Sequence, residues 1–228
     1  MSLTVDIEAV RAEYLRRMCG GDGALLRQVE EYGAARRGKM LRPRLTLLAA
    51  ATLGDAYLHS RRTLLAATCV EMLHNASLLH DDVVDGDVVR RGQPTVNARW
   101  NNRVAVLVGD YHLAQIMRLL DEMDDTDAAR MVNRTVTEMV EAELLALESA
   151  EMSRERYLKI IDGKTARLFS TACALGNPKY EAFGMHYGRL FQLRDDLADG
   201  ETTPWTAELI RQEELALAAI KPALEVLK

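Results

Sequence analysis

Two acidic clusters, each at the end of a long apolar-periodic segment, constrain this chain more than any other feature. The first occupies residues 81–85 (DDVVD) and the second residues 195–199 (DDLAD). On a helix, residues four apart share a face, so the first and last carboxylates of each cluster point the same way and the middle one lies on the flank. Like charges at this spacing destabilise an isolated helix. The pattern therefore predicts bound cations, Mg²⁺ above all, which takes one or two carboxylates together with substrate phosphates.

A single DDxxD cluster would be a weak signal, because charged residues make up 28% of the chain and most such clusters are solvated helix ends. Two copies, each after an apolar helix, favour a functional interpretation.

The composition favours helix throughout. Apolar residues make up 48% of the 228 residues, enough for a sizeable core, while Gly and Pro number only 14 and 5. The nearest approach to a strand, residues 104–108, is short and also fits the start of a helix. We expect one all-α domain over residues 1–228, a helical bundle around a central apolar cavity. In such a bundle, the two acidic helix ends would face each other across the mouth of the cavity.

Apolar periodicity and breaker residues give the boundaries of the predicted elements. A loop rich in Arg, Gly and Pro is predicted over residues 86–97. Helices are predicted over residues 3–19, 24–36, from Pro43 to near Gly54, 60–85, 102–121, 125–149, 153–175, 179–199 and 205–227.

Charge, hydropathy and cysteine content argue against a nucleic-acid-binding, a membrane-spanning or a secreted protein. A net charge of −5 without a basic tail argues against a nucleic-acid partner. No apolar run approaches the roughly 18–20 residues of a transmembrane helix, and the polar N-terminal segment lacks a signal-peptide core. Cys19, Cys69 and Cys173 are few and odd in number, and we expect reduced thiols in a cytoplasmic protein.

Basic residues near the acidic clusters indicate a polyanionic ligand. Arg binds phosphate bidentately and Lys binds it as a point charge. Individually most of these side chains would be surface charges, but together with the carboxylates they predict a diphosphate bridged by metal. They are Lys39, Arg42, Arg90, Arg91 and Lys164.

The chain resembles the trans-isoprenyl diphosphate synthases, the polyprenyl synthetase family. The histidine, aspartates and the RRGQPT string of residues 80–95 are highly specific for it. The resemblance spans about residues 38–200 in the family's order. It is carried by GKMLRPRL at 38–45, EMLHNASLLHDDVVDGDVVRRGQPT at 71–95, VAVLVGDYHLAQ at 104–115, GKTARLF at 163–169 and FQLRDD at 191–196.

The resemblance implies roles for the matching residues. Mg²⁺ ions, usually three, would be held by Asp81, Asp85 and Asp195, with Asp82, Asp196 and Asp199 as outer or occasional ligands. Arg90 and Lys164 would bind the allylic diphosphate, and Lys39, Arg42, His74 and Arg91 the isopentenyl diphosphate. Thr165 and Gln192 would place oxygen dipoles near the developing allylic cation.

The implied reaction is head-to-tail condensation of isopentenyl diphosphate with an allylic diphosphate. Metal and cationic side chains would stabilise the departing diphosphate, and exclusion of water would protect the allylic cation. Small residues before the first cluster, Ala76 and Ser77, favour a product of C20 or longer. The family is usually homodimeric, so the resemblance implies a homodimer for this chain. His80 is expected to be structural, and His59, His112 and His186 to have no special role.

The chain departs from the family after residue 200, where it is short. A sequence that omits part of the protein, natural shortening, or a degenerate family member would each explain this, and we favour the first explanation. Two alternative functions remain: a non-catalytic or regulatory subunit of a hetero-oligomeric prenyl synthase, and a class I terpene cyclase. The complete aspartate clusters argue against the first alternative. A cyclase needs only one diphosphate site, so Lys39, Arg42 and Arg91 argue against the second.

Overall fold

Within residues 3–35 and 38–220, which the computed structural model describes, the chain is almost entirely helical. The predicted all-α class is therefore confirmed. Contacts divide the chain into two compact units. The first unit comprises Met1–Arg44 and His59–Asp125, and the second comprises Leu45–Leu58 and Thr126–Lys228. A single domain around a central cavity stays a prediction.

The first unit carries the first acidic cluster at the end of its longest helix. A two-stranded antiparallel hairpin follows that helix, with Val89 paired to Pro94. The elements are α1 (Leu3–Met18), α2 (Ala24–Ala35), the start of α3 (Leu41–Ala51), α5 (Arg61–Val84), β1 (Val89–Arg90), β2 (Gln93–Pro94), α6 (Val96–Arg99) and α7 (Asn102–Met123).

Side-chain caps and close packing fix α5 and α7. The Ser60 hydroxyl accepts a hydrogen bond from the Thr63 N–H at the start of α5, and the Asn101 side chain accepts one from the Val104 N–H at the start of α7. α5 packs on α7 and also on α1. A methyl group at Gly109 would lie 2.3 Å from the His80 Nε2 atom, so the glycine permits this close crossing of α5 and α7.

The second unit carries the second acidic cluster. Its helix α11 packs against both α10 and α12. The elements are the rest of α3, α4 (Asp55–Leu58), α8 (Thr126–Leu147), α9 (Arg154–Ile161), a π-helical turn (Asp162–Ala166), α10 (Arg167–Gly176), a 3₁₀ turn (Pro178–Tyr180), α11 (Glu181–Asp199) and α12 (Thr206–Ile220).

Most predicted helices are present, with ends within a few residues of those expected. Two predictions were wrong in detail. The predicted loop at 86–97 contains the short hairpin and the start of α6, and the predicted helix at 153–175 is interrupted by the π-helical turn. Arg36 and residues 221–227, which were predicted to end two helices, lie outside the described residues.

Among the described helices, none is both long enough and apolar enough to cross a bilayer.

Candidate active site

The first acidic cluster forms the last turn of α5. Asp85 caps the helix, and its N–H donates to the Asp81 carbonyl. Asp81 is half-buried and Asp85 is exposed, whereas Asp82 is only 3% exposed. The outer carboxylates are therefore available to a ligand, and the middle one faces the protein.

Asp82 ties the segment after α5 back to the helix. The Arg90 Nε atom donates to Asp82 Oδ1 at 2.5 Å, and Arg90 Nη2 donates to Asp87 Oδ2 at 3.1 Å. The Asn97 amide donates to the backbone carbonyls of both Asp82 and Asp87 at 3.0 Å. This arrangement holds Arg90, which is predicted to bind the allylic diphosphate, beside the aspartate cluster.

The charges of three arginines act on His74, which lies on α5 seven residues before Asp81. Burial lowers the pKa of His74 well below its ordinary value, and the charges of Arg42, Arg91 and Arg90 lower it further. Burial also lowers the pKa of Arg42 to about 10, an effect that Glu71 opposes and Arg91 reinforces. Like charges in a desolvated region need an anion nearby, and Glu71 supplies one to Arg42 and Arg91. Because arginines also bind phosphate bidentately, the cluster is suited to a phosphate or diphosphate.

The backbone around this cluster adopts unusual conformations. Arg91 has a φ of 54° and Met40 a φ of 52°, both in the left-handed region that side chains rarely adopt. A methyl group at Gly38 would lie 3.1 Å from Arg91 Nη1, so the guanidinium rests against the glycine backbone. Lys39 is exposed in the segment that precedes α3.

The second acidic cluster repeats the pattern of the first. It closes α11, where Gly200 caps the helix with a φ of 80°. Asp195 and Asp199 are exposed, and Asp196 is buried. The Tyr157 hydroxyl donates to Asp196 Oδ2 at 2.5 Å, and the Gln192 amide donates to Asp196 Oδ1 at 2.6 Å.

The π-helical turn presents the other two predicted site residues of the second unit. The Lys164 ammonium pairs with Glu143 on α8 at 2.8 Å. The Thr165 hydroxyl donates to Gln192 Oε1 at 2.5 Å. Arg189 on α11 donates two hydrogen bonds to Asp162, at 2.5 and 2.7 Å. Mid-helix π segments often occur at functional sites.

The donor set of each cluster fits a metal ion shared with a phosphate. Each offers two accessible carboxylates one helical turn apart, and Mg²⁺ in phosphate-binding sites is bound by one or two carboxylates. In residues 3–35 and 38–220, no three His, Cys, Asp or Glu side chains are gathered so that they would hold a metal by themselves. An ion bound here would therefore take further oxygen ligands from a substrate or from water.

The structure adds residues that the sequence analysis missed. Tyr157 and Glu143 each contact a predicted site residue from a different helix. Arg189 pairs with Asp162 in the π-helical turn that carries Lys164 and Thr165. Nothing in their local sequence distinguishes them, because the contacts depend on how α8, α9 and α11 pack. Asp87 was missed for another reason: it lies between the motif and Arg90 but outside the DDxxD spacing.

Comparisons with known proteins identify the family of this chain. The polyprenyl synthetase family model matches residues 23–208. The all-trans-nonaprenyl-diphosphate synthase (geranyl-diphosphate specific) of Rhodobacter capsulatus is 39% identical over 188 residues, which cover 77% of this chain and 57% of that relative.

Two crystal structures show the same fold. A decaprenyl diphosphate synthase from Rhodobacter capsulatus matches with a TM-score of 0.81 and 35% identity, covering 86% of this chain and 64% of that one. A polyprenyl synthase from Caulobacter crescentus, complexed with calcium and isoprenyl diphosphate, matches with a TM-score of 0.81 and 32% identity, covering 88% and 64%. This chain thus spans less than two thirds of the length of these relatives. From the family match and these identities, the chain belongs to the polyprenyl synthetase family.

Proposed function

We propose that this chain carries the catalytic machinery of a trans-polyprenyl diphosphate synthase, which condenses isopentenyl diphosphate head-to-tail with an allylic diphosphate. Two observations carry the proposal: Arg90 is held against Asp82 inside the cluster that carries Asp81 and Asp85. The charges of Arg42, Arg91 and Arg90 also act together on His74 of the same helix. Cations and metal-binding carboxylates side by side are what a metal-bridged diphosphate needs.

The aspartate clusters are proposed to bind metal. Asp81, Asp85 and Asp195 are the main ligands, and Asp199 is an occasional one. Mg²⁺, expected as three ions per site, neutralises charge on the leaving diphosphate when bound. The buried positions of Asp82 and Asp196, each already hydrogen-bonded within the protein, favour supporting roles for those two residues.

The cationic side chains are proposed to hold the two diphosphates. Arg90 and Lys164 bind the allylic diphosphate. Carboxylates hold both side chains in the structure described, Asp82 and Asp87 for Arg90 and Glu143 for Lys164, so their positions are set before substrate arrives. Lys39, Arg42, His74 and Arg91 bind the isopentenyl diphosphate. Because the pKa of His74 is lowered, its imidazole donates a hydrogen bond as a neutral group at pH 7.

The product is proposed to be C20 or longer. Ala76, fully buried on α5, and Ser77 are small residues before the first cluster, and the relatives reported above are named for nonaprenyl and decaprenyl products. We further propose a homodimer. A cytoplasmic location is proposed on the basis of its three free cysteines.

The test is incubation of the purified chain with Mg²⁺, labelled isopentenyl diphosphate and a panel of C5 to C20 allylic diphosphates. We expect elongated diphosphates, and their loss on chelation of Mg²⁺. Asp81→Asn should reduce turnover by about 100-fold or more, because it removes charge stabilisation of the leaving group. Asp127→Asn on α8, whose side chain is highly exposed, is the matched control and should retain the wild-type rate.

Other outcomes point to the alternatives. A helical, folded chain without elongation would contradict the proposal and favour a non-catalytic subunit. Cyclised hydrocarbons would favour a terpene cyclase. Wild-type turnover by Asp81→Asn would remove Asp81 from the metal site.

A further inference from the structure

A series of hydrogen bonds links four side chains from α9, the π-helical turn and α11 of the second unit. Tyr157 on α9 donates to Asp196 on α11, the Gln192 amide donates to the other oxygen of Asp196, and Thr165 in the π-helical turn donates to the Gln192 carbonyl oxygen. The three bonds measure 2.5, 2.6 and 2.5 Å. Tyr157, Asp196 and Thr165 are all buried.

The chemistry of the four groups allows only one donor-to-acceptor direction for these hydrogen bonds. An ionised carboxylate only accepts hydrogen bonds, so both donors must point towards Asp196. The amide nitrogen of Gln192 must therefore face Asp196, since the reversed amide would bring two acceptor oxygens together. The amide oxygen then faces Thr165 and accepts a hydrogen bond from its hydroxyl group. As a result, the hydroxyl lone pairs of Thr165 and the amide oxygen of Gln192 are presented as acceptors.

Packing fixes Tyr157, the first donor in this series of hydrogen bonds. The ring of Tyr157 belongs to a buried cluster with Ile161, Leu193 and Leu209. Burial, and after it the hydrogen-bonded Asp196 carboxylate, raise the pKa of the Tyr157 phenol, so the hydroxyl keeps its proton and remains a donor. Asp196 is also held through its backbone, because its carbonyl accepts from the Glu201 N–H at 2.8 Å.

We propose that Tyr157 and Asp196 are positioning residues, which lock the Gln192 amide in the orientation that presents the oxygen dipoles of Gln192 and Thr165 to the allylic cation. This inference rests on the proposed synthase function. It assigns a role to Tyr157 and separates Asp196 from its exposed neighbour Asp195, the proposed metal ligand. Fixed dipoles stabilise a developing charge without reorganising during the reaction.

The variant Asp196→Asn tests whether the carboxylate sets the direction of the hydrogen bonds. An asparagine offers one acceptor and one donor group, so it allows the Gln192 amide to turn over. With turnover as the readout, we expect kcat to fall about 10- to 100-fold, the range expected when a reacting geometry is misplaced. The Mg²⁺ concentration for half-maximal activity should stay near that of the wild type. In Asp195→Asn, by contrast, that Mg²⁺ concentration should rise.

Tyr157→Phe tests the hydrogen bond from the Tyr157 hydroxyl to Asp196. It removes one hydroxyl and keeps the packed ring, so kcat should fall while KM for both substrates is little changed. Tyr187→Phe is the matched control, because Tyr187 is a half-buried tyrosine of α11 whose ring packs on Phe169 and Phe183. The control should keep the wild-type kcat.

A readout in the metal-free protein tests the hydrogen bonds without catalysis. In protein labelled with ¹⁵N-glutamine, the side-chain amide signal of Gln192 is identified by its loss in Gln192→Leu. We expect a downfield amide proton in the wild type, because it is bonded to a carboxylate. In Asp196→Asn this signal should move towards the free-amide position or split into two.

Three results would overturn the inference. An Asp196→Asn variant with the same rise in Mg²⁺ requirement as Asp195→Asn would make Asp196 a metal ligand. A Tyr157→Phe variant identical to the Tyr187→Phe control in kcat would remove Tyr157. An unchanged Gln192 signal in Asp196→Asn would show that the carboxylate does not set the amide. A wild-type chain without turnover would instead contradict the proposed function, while the amide signal would still decide whether the chain of bonds exists.

Discussion

Three ionisable side chains from three helices of the first unit form a buried group that the candidate site does not use. The Tyr14 hydroxyl lies 2.8 Å from His112 Nε2 and 3.4 Å from Glu30 Oε2. His112 Nδ1 faces the Val108 carbonyl at 2.8 Å, so Nδ1 carries a proton and Nε2 is an acceptor when the ring is neutral. The Tyr14 hydroxyl therefore has two acceptors for its single proton, His112 Nε2 and Glu30 Oε2.

The pKa shifts in this group have opposite effects on stability. Burial raises the pKa of Glu30 from 4.5 to about 7, so the folded state binds more protons than the unfolded state in that window and stability falls as pH rises. Burial lowers the pKa of His112 from 6.5 to about 4, so stability rises with pH between those values. The two effects largely cancel in the wild type where the windows overlap.

Glu30→Gln should separate these effects. Glutamine keeps the shape and a donor for Tyr14 but cannot ionise. The free energy of unfolding of the variant should therefore rise with pH between about 4 and 6.5, through His112 alone. At pH 8 the variant should exceed the wild type by on the order of 2 kcal/mol, since a buried charge has been removed. Urea unfolding followed by circular dichroism over a pH series measures both effects.

The neighbouring exposed residue supplies the control for this prediction. Glu31→Gln, one position further along α2, should leave the pH dependence unchanged. If Glu30→Gln were less stable than the wild type at pH 8, the ionised Glu30 carboxylate would stabilise the fold, contrary to the unfavourable buried charge argued above.

At the scale of single side chains, helical periodicity separated the outer aspartates of the first cluster from the middle one, but it did not show what holds the middle aspartates. Helical periodicity placed Asp81 and Asp85 on one face and Asp82 on the flank, and the observed exposures agree. The partners of the buried aspartates, Arg90 and Tyr157, differ in how far they were foreseeable. Arg90 lies eight residues from Asp82, whereas Tyr157 meets Asp196 only through the packing of α9 on α11.

At the scale of elements, the π-helical turn is the feature that periodicity did not predict. Apolar spacing continues through residues 153–175, so the sequence indicates one helix. The interruption comes from tertiary packing. A methyl group at Gly163 would lie 2.3 Å from the Cβ of Ala142 and 2.6 Å from the Glu138 carbonyl oxygen, so α8 approaches the turn as closely as backbone allows. The same turn presents Lys164 and Thr165.

Gly163→Ala should therefore destabilise the protein. The added methyl has no room against α8, and overpacking of this kind costs about 1–3 kcal/mol. Thermal unfolding followed at 222 nm should show a lower midpoint. If the chain is active as proposed, kcat should also fall, because the turn that carries Lys164 and Thr165 must shift.

Another helical glycine provides a control of opposite sign. A methyl group at Gly33 in α2 would meet nothing within 4 Å. Gly33→Ala should therefore stabilise the protein by about 0.5–1 kcal/mol, through the lower backbone entropy of alanine in the unfolded state. A Gly163→Ala variant as stable as the wild type would mean that the approach of α8 to the turn is looser than described.

At the scale of the whole molecule, the surface of α8 carries an apolar stripe. Val140, Leu144 and Leu147 are 54%, 59% and 63% exposed. Their spacing of four and three residues places them on one face of the helix. Contiguous exposed apolar residues commonly mark protein interfaces. The stripe fits the proposed homodimer, in which a two-fold axis would set the same surface of each copy against the other.

The double variant Leu144→Lys, Leu147→Lys should dissociate this dimer. Each two-fold interface would then contain four added positive charges, and like charges juxtaposed across an interface cost several kcal/mol. The dissociation constant should rise by about 100-fold or more, measured by sedimentation velocity over a concentration series. Leu215→Lys on α12, at a position 72% exposed, is the control for simply replacing a surface leucine by lysine.

A wild-type chain that is monomeric throughout the series would contradict the homodimer. If Leu215→Lys weakened association as much as the double variant, the interface would not lie on α8. Helical periodicity alone cannot make this distinction, because it identifies the buried face of α8 but not whether a second copy covers the other face.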